Sequence, residues 1–129
     1  LPLARHGALV TEVEANRYAL VDARYTARTN HIGRSRFRPV LAEALLEQGQ
    51  PGEYDVVLVD PPRAGLSTAC LQGLLTLGSP RLLYLSCDAP TLARDVGRLA
   101  AGGYLVAQVQ PLDMFPQTAH LETLVELVR

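Results

Sequence analysis

The run Tyr54-Asp55-Val56-Val57-Leu58-Val59, followed at once by Asp60-Pro61-Pro62, narrows the fold more than any other feature. A short, continuous apolar stretch predicts a strand covered on both faces, the setting that a parallel sheet provides. The two prolines forbid its continuation. Leu82-Leu83-Tyr84-Leu85 repeats the pattern between Pro80 and Cys87. Asp88 and Pro90 then start a helix, with Leu92, Val96 and Leu99 at helical spacing. Strands alternating with helices build an α/β sheet.

The same reading covers the rest of the chain. It predicts strands over Ala8 to Val13, Arg36 to Leu41, Tyr54 to Val59, Arg81 to Ser86 and Tyr104 to Val109. Helices are predicted over Ala15 to Thr29, Ala42 to Gln48, Ser67 to Leu77 and Thr91 to Ala101, the last stopped by Gly102-Gly103. The segment Leu121 to Val128 fits either a strand or a helix, because Leu121, Leu124, Val125 and Val128 also match helical spacing.

At 129 residues the chain is read as one domain, 1–129, long enough for a real core. Its 48% hydrophobic and 19% charged content is that of a soluble globular protein. No apolar run reaches membrane-span length and no secretory signal pattern opens the sequence, so a membrane partner is not expected. Two cysteines, Cys70 and Cys87, make no disulfide framework, and a reducing cytoplasm is the expected compartment. Cys70 falls in a helix and reads as core. Three scattered histidines have no ligand spacing, so no metal is implied.

Charge is uneven. Residues 1–40 carry seven Arg against three acids, and residues 41–129 carry five Arg against ten acids. Arg24, Arg28, Arg34, Arg36 and Arg38 would suit RNA phosphates, or form a solvated face.

Candidate chemistry lies where strands end, because ligands of open α/β sheets sit beyond the carboxyl ends. Asp60 and Cys87 end two neighbouring strands. Cys87 stands at the mouth of a helix, where free N–H groups and the dipole favour a thiolate; a small buried hydrophobe is the alternative. Asp60 before two prolines also suits a turn. Glu14, by its residues alone, reads first as an ordinary acid at a helix start. His120 and Glu122, two apart, share one face of a strand, which would otherwise be a solvated face.

Three phrases in this order, DPPRAGL, LSCDAPTLARD and LDMFPQTAHLET, together with TEVEAN, resemble the RNA uracil-5-methyltransferase family over nearly the whole chain. The resemblance implies a Rossmann-like methyltransferase sheet, mostly parallel with an antiparallel last strand, in the order 3-2-1-4-5-7-6, and on it Leu121 to Val128 is read as a strand. It implies S-adenosylmethionine as cofactor, tRNA or ribosomal RNA as partner, and methylation at uridine C5 through a covalent cysteine–C6 adduct. On it, Cys87 is the nucleophile and Glu122 the general base. Glu14 and Asp60 contact the cofactor, and Pro61, Arg63 and His120 position the substrate.

The sequence also departs from the family. Leu41 stands where a polar residue contacts adenine, and cannot make that hydrogen bond. The family's Gly-rich cofactor loop and first strand do not appear, so the chain, opening at Leu1, reads as a fragment that is inactive in isolation and prone to associate through exposed strand edges. A non-catalytic RNA-binding or interaction module is the other reading.

Overall fold

The structure is a computed structural model that describes residues 1–114, 116–118 and 121–129. His120 lies outside the described residues. The chain divides into two compact units, Leu1–Gln48 and Gly49–Arg129.

The first unit holds α1 (Pro2–Arg5), β1 (Val10–Val13), α2 (Arg17–Thr29), β2 (Ser35–Arg38) and α3 (Ala42–Gln48). β1 and β2 pair in parallel, Val10 opposite Ser35 and Val13 opposite Arg38. The short helix α1 was not foreseen. β1 begins two residues later than expected, because the Ala8 N–H donates back to Leu3 O and closes the turn after α1. α2 starts at Arg17, since the Asn16 side chain caps it, accepting from the N–H groups of Tyr18 (3.0 Å) and Ala19 (3.4 Å). β2 stops at Arg38 rather than Leu41, where Pro39 supplies no donor for the ladder. Leu20 and Ala27 of α2 are buried in this unit.

The second unit holds β3 (Val56–Val59), α4 (Thr68–Leu77), β4 (Arg81–Ser86), α5 (Ala89–Ala101), β5 (Leu105–Leu112) and β6 (Glu122–Val128). Its sheet order is β3-β4-β6-β5, with β3 parallel to β4 and β6 antiparallel to both neighbours. That is the 4-5-7-6 part of the expected order, with one reversed strand. The ambiguous last segment is a strand. Thr123, Val125 and Leu127 pair with Ser86, Tyr84 and Leu82, and Val125 and Leu127 are buried, which is a two-residue period. β5 is longer than expected and contains Pro111; as the outer strand it tolerates the missing donor.

Capping fixes the helix ends. The Ser67 hydroxyl accepts from Cys70 N (3.1 Å) to start α4, and Gly78, at φ +60°, ends it in the left-handed region. Asp88 caps α5, which therefore starts at Ala89, ahead of the expected Thr91. Leu71, Leu74 and Leu77 of α4 and Leu92 and Leu99 of α5 share the core with Leu82, Tyr84, Tyr104, Val125 and Leu127. Cys70 is buried there too, as expected.

The expectation of a strand covered on both faces fails at β3. Val57 and Val59 lie level with Leu82 and Tyr84 on the core face, whereas Val56 and Leu58 are 46% and 56% exposed. β4 is the only strand paired with β3 among the described residues. An apolar strand with one free edge is a template for pairing with another chain. The 129-residue chain on its own should self-associate, and a Val56→Lys/Leu58→Lys variant should weaken that association by about tenfold or more. Sedimentation velocity decides: an unmodified chain that stays monomeric at concentrations on the order of 100 μM would refute it.

Candidate active site

Three strand ends meet at one end of the second sheet. Val59 lies opposite Tyr84, so Asp60 follows β3 beside the last residues of β4. Ser86 lies opposite Thr123, so the next step of that register sets Cys87 against Glu122. Side chains alternate between faces, and directly opposed residues share a face. Glu122, the first residue of β6, shares the face of Leu124, opposite the core that α4 and α5 cover, and Asp60 and Cys87 each directly follow a strand residue of the core face, Val59 and Ser86.

Each group is held locally. Cys87 is a free, half-buried thiol. It stands at the tip of a turn closed by Ser86, whose hydroxyl accepts from Asp88 N and donates to Asp88 O, both at 3.1 Å. The helix behind it differs from expectation in one respect: Asp88 Oδ2 takes the Thr91 N–H (3.0 Å), so that donor is not left for the thiol. The N–H and hydroxyl of Thr91 hold the Asp88 carboxyl below its ordinary range. Asp60 and Arg63 are exposed and Pro61 is half-buried. Glu122 is half-buried, and its backbone is fixed opposite Leu112.

In the first unit, Glu14 follows β1, its N–H bonded to Arg38 O (3.2 Å). Its exposed carboxylate accepts from Asn16 N (2.7 Å), the helix-start role open to it from sequence. Leu41 is 62% exposed, just ahead of α3. Arg34, Arg36 and Arg38 are exposed, Arg36 and Arg38 on one face of β2, and Arg24 lies 5.8 Å from the Phe37 ring centroid.

Asp95 is the residue that sequence reasoning missed. It is completely buried. Its Oδ2 accepts from the Tyr84 hydroxyl and from Leu66 N, both at 2.8 Å, and its Oδ1 accepts from Arg94 Nε at 2.9 Å. Burial alone would raise this carboxyl, but the bonds from Arg94, Leu66 and Tyr84 outweigh it and hold it below the ordinary value. A signal was present: Asp95 occupies the stripe of Leu92, Val96 and Leu99, where an acid must find partners.

The network has an alkaline signature. Burial, then the bond to Asp95, pushes the Tyr84 phenol well above its ordinary value. A raised folded-state value leaves stability intact below the unfolded phenol's value, near pH 10, and removes it as pH climbs toward the folded one. The urea midpoint should therefore fall from about pH 10 upward. Tyr84→Phe should cost about 2 kcal/mol at neutral pH and give a shallower alkaline decline. The decline should not vanish, because burial also raises Tyr104. Identical alkaline slopes for the two proteins would refute the assignment.

Among the described residues, no helix is long and apolar enough to cross a membrane, and no three His, Cys, Asp or Glu side chains group as metal ligands.

The chain is 43% identical to an uncharacterized RNA methyltransferase of Gloeobacter violaceus and 41% identical to one of Enterococcus faecalis, in both cases over its whole length. It spans 28% and 29% of those relatives. The crystal structure of Pyrococcus abyssi tRNA (uracil-54, C5)-methyltransferase in complex with S-adenosyl-L-homocysteine superposes with a TM-score of 0.86 at 34% identity, covering 98% of this chain and 30% of that one. Magnesium protoporphyrin IX methyltransferase of Synechocystis, at 19% identity and a TM-score of 0.76, shares the fold. The tRNA (uracil-5-)-methyltransferase family model matches residues 15–129, and the chain belongs to that family.

Proposed function

We propose that the chain forms part of the catalytic domain of an enzyme that methylates C5 of a uridine in tRNA or ribosomal RNA, in the cytoplasm. The observation that carries this reading is the register that pairs Ser86 with Thr123, so that the next residue at each strand end, Cys87 and Glu122, adjoins that pair, with Asp60 following the neighbouring strand.

Uracil C5 is a weak nucleophile. The Cys87 thiolate adds to C6, its electron pair forming the S–C6 bond, and the ring becomes an enolate nucleophilic at C5. Bound S-adenosylmethionine would supply the methyl group to C5 as an electrophilic sulfonium, the S–CH3 bond breaking and the neutral thioether S-adenosylhomocysteine leaving. Glu122 then takes the C5 proton, the C5–C6 double bond re-forms, and the thiolate leaves. Asp60 contacts cofactor and base, while Pro61, Arg63 and His120 position the pyrimidine.

The residues of the first unit fit the cofactor in part. An exposed carboxylate at a parallel strand's carboxyl end, as at Glu14, suits a ribose diol. Exposed Leu41 offers adenine an apolar surface and no hydrogen bond. The exposed arginines of β2 suit RNA phosphates.

The test is covalent trapping. The full-length protein carrying this sequence, given cofactor and RNA containing 5-fluorouridine, should yield a denaturant-stable protein–RNA adduct, because fluorine cannot leave C5 as a proton would. RNA binding without adduct or methylation would favour a non-catalytic module.

A further inference from the structure

We propose that Asp95 is a positioning residue, which sets the loop carrying Asp60, Pro61 and Arg63 against the Cys87 turn through a clamp on α5. The inference rests on the methyltransferase reading above and adds a residue to it.

The loop after β3 is tied to α5 at successive backbone groups. Leu66 N donates to Asp95 Oδ2 (2.8 Å). Arg94, ion-paired to Asp95 at 2.9 Å, donates from Nη2 to Ala64 O at 2.9 Å. The Thr91 hydroxyl donates to Arg63 O at 3.0 Å. The Tyr84 hydroxyl joins the same carboxylate to β4 at 2.8 Å. α5 begins two residues after Cys87, so one helix holds both the nucleophile's turn and the loop.

Gly65 shows how closely the loop is pressed down. Its φ is +77°, and a Cβ there would collide with Asp95 Oδ2 and lie 2.6 Å from Arg94 Nη2. Only glycine lets Leu66 N reach the carboxylate. β3 gives the loop a start and α4 an end, but sheet pairing stops at Val59. The remaining order comes from the loop's own turn, where Gly65 N donates to Pro62 O at 2.8 Å, and from Asp95 and its neighbours. Because displacing a reacting group by about 1 Å can cost about a hundredfold in rate, the clamp matters most to the chemical step.

Two variants of the full-length protein test this. Asp95→Asn keeps the shape but turns an N–H donor toward groups that themselves donate. Thr91→Val removes one link to the loop, and with it the hydroxyl's bond to Asp88 O beside Cys87, without burying a charge. Turnover of RNA should fall about 30-fold in the first and about fivefold in the second, with KM for RNA changed less than about twofold. The rate of adduct formation with 5-fluorouridine RNA should fall in parallel. Hydrogen exchange at Leu66 N–H should accelerate in Asp95→Asn, and Asp95→Glu should recover part of the rate. A folded Asp95→Asn with unchanged turnover, or Thr91→Val altering KM alone, would overturn the clamp's role while leaving the methyltransferase intact. A parent protein that neither methylates RNA nor forms the adduct would overturn both.

Discussion

Cys87→Ala should abolish the adduct with 5-fluorouridine RNA and lower methylation by on the order of 10⁴-fold or more. Without the thiolate, no bond to C6 forms and C5 keeps the low nucleophilicity of an aromatic-like ring. The substitution should leave the fold intact. Cys87 is half-buried at a turn whose closing bonds belong to Ser86 and Asp88, and its sulfur bridges nothing. Unfolding midpoints of variant and parent should agree within about 0.5 kcal/mol, as for a surface substitution. Cys70→Ala is the control. That thiol is core, so its loss should lower stability by about 1–2 kcal/mol while the adduct still forms. An adduct on Cys87→Ala, located by peptide mass mapping, would assign the nucleophile elsewhere.

Glu122→Gln should separate the two halves of the reaction. Attack and methylation need the thiolate, whereas release needs a base for the C5 proton. The variant should accumulate a methylated protein–RNA adduct with ordinary uridine, and turnover should fall about 10²- to 10⁴-fold. Glutamine keeps the size and backbone register of Glu122, which is fixed on β6 opposite Leu112. Quenched-flow sampling distinguishes the cases. Rapid formation and slow decay of the adduct support the role, and parent-like decay would move the proton to another group.

The sequence made the alternation of strands and helices readable chiefly through β3 and β4, short apolar runs with polar punctuation. It also made Asp60 and Cys87 readable as ends of neighbouring strands. It left the face of each residue undetermined, since that depends on register, and one residue of slip reverses it. Leu121 to Val128 was open between two periods because its apolar residues satisfy both. Pairing on both sides, with β4 and β5, selects the strand. Element boundaries moved by two or three residues where a cap or proline acted locally: the starts of α2 at Asn16 and α5 at Asp88, and the end of β2 at Pro39. Asp95 was hidden for a different reason. Its partners Tyr84 and Leu66 lie 11 and 29 residues away, and no local pattern announces their meeting.

The reversed direction of β6 has a consequence for how such an enzyme changes. A strand running with the others would deliver its last residue to this end of the sheet and fix the position in advance. β6 delivers its first, Glu122, so the connection from Leu112 must arrive there before the strand begins. Residues can be gained or lost in that connection without moving a single pairing of β6 with β4. The position of Glu122 therefore depends on the pairing of β6 with β4 and β5, not on the length of the connection that precedes it.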